Sequence, residues 1–196
     1  MRYSFFALIS RMKNINRWSL MRNSAVENVQ EHSHMVAVIA HALAVIRRDV
    51  FGAPADPGAT AAAALFHDAS EIFTGDMPTP IKYFDSDIMS AYKRVESLAA
   101  QKLLSTLPAE MRGAYEAVLS PRGGAAAADL VKAADKLAAY IKCLEELKTG
   151  NLEFKPAAQQ TRARLESFNM PEVDYFIENF ASAFDLPLDE LDFSFE

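Results

Sequence analysis

The stretch Leu65–Pro80, LFHDASEIFTGDMPTP, decides how the rest of the chain is read. Apolar residues lead into the adjacent pair His67 and Asp68, and Glu71 follows four residues after the first and three after the second. On a helix, that spacing puts Glu71 one turn on, on the face the pair shares. An imidazole and a carboxylate with a third ionisable group one turn away form a candidate metal site with a general base. The bland alternative is a buried His–Asp pair hydrogen-bonded to itself, and a bare HD dipeptide does not choose between the two. The helix must end within Thr74-Gly75-Asp76-Met77-Pro78-Thr79-Pro80, because proline lacks an N–H and clashes with the preceding turn. A polar loop stiffened by two prolines is therefore expected at the mouth of the ionisable cluster.

Outward from that stretch, the pattern predicts a central helix over Ala59–Phe73, opened by Asp56-Pro57-Gly58, with small alanines from Ala61 that allow close helix packing. Toward the N-terminus, Ser4–Ile15 reads as a short amphipathic helix with Phe5, Leu8, Ile9 and Met12 on one stripe. Asn16-Arg17-Trp18-Ser19 then breaks the pattern. Arg17 beside Trp18 reads either as a surface arginine next to a core tryptophan, or as a phosphate fork with an aromatic wall. Asn28–Val50 is a longer helix carrying His32, His34 and His41. His32 and His34 are two apart and cannot share a helical face, so at most one is expected at a given metal. His34 and His41 are read as structural.

Toward the C-terminus, Ile81–Asp85 is a short connection and helices are expected over Asp87–Leu107, Pro108–Leu119, Ala125–Thr149, Ala157–Ser167 and Glu172–Phe184. Ser120–Gly124 is the clearest loop, and Leu186–Glu196 is an acidic tail with apolar residues interleaved. Within Ala125–Thr149 the inward stripe is Leu130, Ala134, Leu137, Ile141 and Leu144. Asp135 lies well round from it, and periodicity alone reads it as a solvated residue between Lys132 and Lys136.

A chain of 196 residues that is 51% hydrophobic with only seven Gly has the means to bury a sizeable core and is not disordered. Ala-rich segments with little β-type alternation make it all-α, and without repeats or a linker the whole of 1–196 reads as one domain. A net charge of −6 argues against general nucleic-acid binding, while an anionic substrate stays open if a metal and Arg residues make one site locally positive. Cys143 is the only cysteine, so no intrachain disulfide forms, which fits a cytoplasmic setting. Phe5–Ile9 is too short for a signal segment, and no run reaches the roughly 20 apolar residues that span a bilayer.

Taken together, His32, His67-Asp68 and Asp135 have the order and spacing H…HD…D of the HD superfamily of metal-dependent phosphohydrolases, which the chain resembles. The segments INRWSLMRN, ENVQEHS, FHDASEIFTGDMPTPIKYF and KAADKLAAYIKCLEEL sharpen the match. They look like the bacterial 5′-deoxynucleotidase family of the YfbR type, from about Phe5 to about Asp189. The resemblance implies an HD-type helix bundle, a homodimer, and one divalent metal ion per chain held by His32, His67, Asp68 and Asp135. It implies that Glu71 is the catalytic carboxylate and that Arg17 and Trp18 orient the phosphate and help select the nucleotide. His32, Asp68 and Asp135 then also line the bound substrate. Asp76, Met77, Pro78 and Thr79 match the substrate loop, with Met77 in place of a more usual Leu, a volume-conserving swap. The stretch Ser120–Ala128 is richer in Gly and Ala than its counterparts but touches no matched site residue. Two imidazoles and two carboxylates suit Co²⁺ or Mn²⁺ first, with Zn²⁺ or Cu²⁺ also accommodated, and leave the loaded site formally neutral. The implied substrates are deoxynucleoside 5′-monophosphates.

Competing readings are another HD phosphohydrolase or a non-catalytic HD module that senses nucleotides. Guanosine-tetraphosphate hydrolases of the superfamily carry Glu then Asp after the HD turn, whereas Glu71 is followed here by Ile72. Deoxynucleoside triphosphohydrolases place further His residues after the HD, and none follows His67. The GYP tripeptide of cyclic-dinucleotide phosphodiesterases is absent. Intact ligands together with Glu71 argue against a pure sensor.

Overall fold

Asn28 opens the first long helix. Its side chain accepts from the backbone N–H groups of Gln30 and Glu31, both at 3.0 Å, and Glu31 accepts from the Asn28 N–H at 3.3 Å. This capping box satisfies donors that a helix start leaves orphaned. The computed structural model describes residues 2–78, 85–119 and 125–191. Among them the α-helices are α1 (Phe5–Ile9), α2 (Val29–Val45), α3 (Pro57–Leu65), α4 (Glu71–Thr74), α5 (Ser86–Ser105), α6 (Ala109–Leu119), α7 (Ala125–Lys148), α8 (Lys155–Glu166) and α9 (Pro171–Phe180). Strands are absent among the described residues, where an isolated antiparallel bridge joins Asn16 to Asn28.

The fold is an all-α helix bundle with α7 at its centre, packed against α2, α3 and α8. Val36, Ile39, Leu43, Leu130, Leu137, Ile141, Leu165 and Val173 form the main core. The alanines on the three central helices (Ala40, Ala64, Ala134 among them) let those backbones approach closely. A second core joins Phe5, Ala69, Leu103 and Leu107, with Phe66 and Tyr115 packed on it. No helix of the described residues is long and apolar enough to cross a membrane.

Several expected elements change type at their ends. Ser4–Ile15 is α-helical only to Ile9 and then runs as a 3₁₀ turn over Ser10–Asn14. The second helix ends in a π turn, Ile46–Val50, where Arg47 Nε donates to the buried Glu172 of α9 at 2.7 Å. The segment before Phe184 closes as 3₁₀, Ala181–Asp185.

The central helix requires a larger correction. It does not run unbroken from Ala59 to Phe73: α3 stops at Leu65, residues 66–70 form tight turns, and α4 begins at Glu71. The backbone leaves helical geometry at Phe66 (φ −112°, ψ 5°). Hydrogen bonds there reach back three residues, from Phe66 N to Ala63 O and from His67 N to Ala64 O. His67 Nδ1 competes for the same Ala64 carbonyl at 2.7 Å, which draws that acceptor away from continuing the α-helix. Phe66 and Ala69 meanwhile pack into the second core, so tertiary contacts override the local preference for helix. Gly75 ends α4 with φ +71°, where a side chain would be strained, and its N–H donates to Glu71 O at 2.8 Å.

Candidate metal centre and active site

Three separate elements bring the ionisable residues together: α2 supplies His32, the turn after α3 supplies His67 and Asp68, and α7 supplies Asp135. Ligand atoms of His32, His67 and Asp135 all lie within 4.8 Å of one another. His32 Nε2 is 3.0 Å from Asp135 Oδ1. Asp68 Oδ2 approaches the two imidazoles, 3.1 Å from His67 Nε2 and 3.8 Å from His32 Nε2. Asp135 is therefore not a solvated residue. Helix α7 is enclosed by neighbours on several sides, so its single strongest apolar stripe does not mark its only inner face. Lys136, read as one of its flanking charges, holds the other Asp135 oxygen, Oδ2, at 3.0 Å.

His67 shows how the site suits a cation. Its Nδ1–H donates to Ala64 O, which orients the ring and turns Nε2 toward the carboxylates. That Nε2 is buried, 3.1 Å from Asp68 Oδ2. A ring oriented by a backbone carbonyl, with its other nitrogen aimed at carboxylates, has the form of a metal-ligating histidine. The field agrees. Burial favours the neutral imidazole, yet Asp68 and Asp135 raise the His67 pKa to about 9. Burial opposes charge on Asp135 too, yet the His32 hydrogen bond and nearby Lys136 hold its carboxyl well below the usual range. The cluster gathers positive charge, in keeping with two imidazoles and two carboxylates as a divalent-metal donor set.

Arg17 lies beside this cluster. Its Nη1 is 3.5 Å from Asp68 Oδ2 and its Nε donates to Glu27 Oε2 at 3.1 Å. Burial would lower its pKa, but Asp68, Asp135, Glu27 and Asp76 together raise it. Asp76 is thus electrostatically linked to the site. Trp18 is half-buried: Nε1 donates to the same Glu27 Oε2 at 3.1 Å, and its ring lies 5.2 Å from that of Phe154. Glu71 is buried at the start of α4, tied to the turn that carries His67 and Asp68 by its N–H on Asp68 O at 2.9 Å. It follows a 3₁₀ turn, not a continuous helical face as the spacing suggested. Met77 and Pro78 are half-buried, and Thr79 lies outside the described residues. His34 and His41 are exposed on α2, away from the cluster, and are not packed structural histidines.

Glu27 is the residue the sequence reading missed. It lies just before a helix cap and looks like an ordinary surface acid. Its position follows from the pairing of residues 15–17 with 27–29, where Arg17 N donates to Glu27 O and Val29 N to Ile15 O, both at 2.9 Å. Glu146 on α7 clamps the intervening loop. It is fully buried and accepts from Ser24 N at 2.8 Å, Ala25 N at 3.3 Å, Asn151 Nδ2 at 2.8 Å and Lys142 Nζ.

Residues 4–184 match the family model described as 5′-deoxynucleotidase YfbR-like. The chain is 48% identical over 188 residues to the 5′-deoxynucleotidase YfbR of Escherichia coli, covering 95% of this chain and 94% of that protein. The YfbR of Shigella boydii serotype 18 gives the same figures. Among solved structures, an HD-domain phosphohydrolase from Listeria innocua superposes with a TM-score of 0.79 at 25% identity, over 92% of this chain and 88% of that one. The HD phosphohydrolase DatZ of cyanophage S-2L, solved with dA and one catalytic Zn²⁺ ion, shares the fold with a TM-score of 0.62 at 19% identity, over 93% and 99% of the two chains.

Proposed function

This chain belongs to the 5′-deoxynucleotidase YfbR-like family, and from that premise we propose that it hydrolyses 2′-deoxynucleoside 5′-monophosphates to deoxynucleoside and phosphate. The observation that carries the reading is the meeting of Arg17 with the ligand cluster through Asp68, which unites a phosphate-binding cation and a metal donor set in one site. His32, His67, Asp68 and Asp135 would hold one divalent ion, with Co²⁺ or Mn²⁺ the first candidates and Zn²⁺ or Cu²⁺ next. When bound, such an ion supplies Lewis acidity toward a phosphoryl oxygen and makes a water more acidic. Glu71 takes the proton of the attacking water. Arg17 neutralises phosphate charge and aligns it for in-line attack. Trp18 and the loop Asp76–Pro78 would lie along the sugar, with Asp76 accepting from the 3′-hydroxyl.

The apolar face of Trp18 then disfavours a 2′-hydroxyl, since an unpaired buried hydroxyl costs on the order of 1–3 kcal/mol, or roughly tenfold to a few hundredfold in rate. Phosphate release from a panel of ribo- and deoxynucleotides, with Co²⁺, Mn²⁺ and chelator, tests the proposal. Deoxynucleoside 5′-monophosphates are expected to be cleaved well, ribonucleotides and 3′-monophosphates poorly, with Trp18→Ala narrowing the deoxy/ribo gap. Equal kcat/KM for AMP and dAMP would leave only a general HD phosphohydrolase. The same family resemblance supports a cytoplasmic homodimer of one-domain subunits, which sedimentation measurements test.

A further inference from the structure

Glu27 touches both halves of the site with one carboxylate. Its Oε2 accepts from Arg17 Nε and from Trp18 Nε1, each at 3.1 Å, while its Oε1 lies 3.9 Å from His32 Nδ1. His32 is fully buried, and its Nδ1 has no hydrogen-bond partner among the described residues, so Glu27 is the anion this nitrogen faces. The carboxylate is itself mostly buried, at 16% exposure, and its own backbone carbonyl accepts from Arg17 N. With Nε anchored there, the terminal nitrogens of Arg17 are left to point toward Asp68 and an incoming anion. Trp18 has φ +56°, a conformation that residues with side chains rarely adopt, and the indole bond to Glu27 together with Phe154 holds it in place.

We propose that Glu27 is a positioning residue that couples the nucleotide-orienting pair Arg17–Trp18 to the metal ligand His32. A carboxylate facing the far nitrogen of a ligating histidine favours the proton there and raises the ring's basicity, and loss of a hydrogen-bonded partner in that position commonly weakens metal affinity about 10–100-fold. The same carboxylate sets the aim of Arg17 and the pose of Trp18. Its substrate arm rests on the deoxynucleotidase reading, whereas its metal arm does not.

The test compares the full-length protein with Glu27→Ala and Glu27→Gln. Co²⁺ affinity is measured by calorimetry on chelator-stripped protein without substrate, and kinetics with dAMP and AMP are measured at saturating Co²⁺. Glu27→Ala should weaken Co²⁺ binding at least about tenfold. It should also raise the KM for dAMP about tenfold and move the dAMP/AMP ratio of kcat/KM toward one. Glu27→Gln keeps an oxygen acceptor for Arg17 and Trp18, so its KM and substrate ratio should stay close to those of the unmodified protein while Co²⁺ affinity falls. A Glu27→Ala protein with unchanged Co²⁺ affinity and substrate ratio, whatever its stability, overturns the proposal, as does movement of only one of the two. If Glu27→Ala does not fold, unchanged Co²⁺ affinity in Glu27→Gln overturns it. If the unmodified protein shows no deoxy preference, the functional reading fails and the Co²⁺ measurement alone decides the role of Glu27.

Discussion

At the scale of single residues, the separation of ligand from base is the property most open to measurement. His67 is locked by Ala64 with Nε2 facing the carboxylates, while Glu71 sits three residues on from Asp68, buried, at the start of α4. Removing a ligand and removing a base have different consequences. Glu71→Ala should keep Co²⁺ stoichiometry and affinity while kcat falls about 10²–10⁴-fold, the usual worth of a positioned general base. Calorimetry alongside steady-state kinetics checks this, and loss of the metal in that variant would make Glu71 a ligand instead. His67, Asp68 and Glu71 were legible because they share one short stretch. Asp135 was not legible from periodicity, since a helix enclosed on several sides has no single inner stripe. Glu27 opens the matched segment ENVQEHS, but nothing in its spacing marked a role, because its partners reach it through the pairing of Asn16 with Asn28.

Among elements, the helix positions in the sequence were largely readable from apolar spacing and from breaks such as Asp56-Pro57-Gly58, and the structure adds side-chain caps at Asn28, Asp56 and Asp85. The break between α3 and α4 was not, because it depends on Phe66 and Ala69 packing against Phe5, Leu103 and Leu107 from distant helices. The hold of α7 on the loop before Glu27 was equally hidden. There Glu146 and Lys142 are both buried, and Lys142 Nζ also donates to Ala25 O at 2.6 Å. Burial opposes ionisation of Glu146, but Lys142, the Ser24 N–H and Asn151 hold its carboxyl well below the ordinary value of 4.5. A carboxyl depressed in the folded chain stabilises above its ordinary pKa, and that stability is lost as pH falls below it toward the folded value. Glu146→Gln should therefore lower stability at neutral pH by about 3–5 kcal/mol, since it leaves Lys142 without its counter-charge. Below pH 4.5 the deficit should shrink by about 1.4 kcal/mol per pH unit. Denaturant unfolding of both proteins across pH checks the sign, and a deficit that stays constant into acid would show that the charge is not what secures the loop.

For the whole molecule, the proposed ligand set spans elements that the two main cores only partly join. His32 belongs to α2 and Asp135 to α7, both lining the main core, whereas His67 and Asp68 sit on a turn whose neighbours Phe66 and Ala69 belong to the second core. Without an ion, the carboxylates gather at one point with charges offset by the imidazole protons, by Arg17 and by Lys136. A divalent ion bound to the folded chain and not to the unfolded one adds RT ln(1 + [ion]/Kd), about 2.7 kcal/mol at one hundred times Kd. For a chain of this size each kcal/mol moves Tm by about 2–4 °C, so Co²⁺ at that excess should raise Tm by about 5–11 °C over chelator-stripped protein. Asp135→Ala removes one of the proposed ligands and should abolish most of that rise, together with phosphatase activity, while Glu71→Ala should retain the rise and lose only the activity. Thermal unfolding of the three proteins with and without Co²⁺ distinguishes an ion that also ties the helices from one that serves chemistry alone. A Tm indifferent to Co²⁺ in the unmodified protein, at concentrations that restore activity, would show that the two cores are already fixed to each other and that the ion adds nothing to the fold.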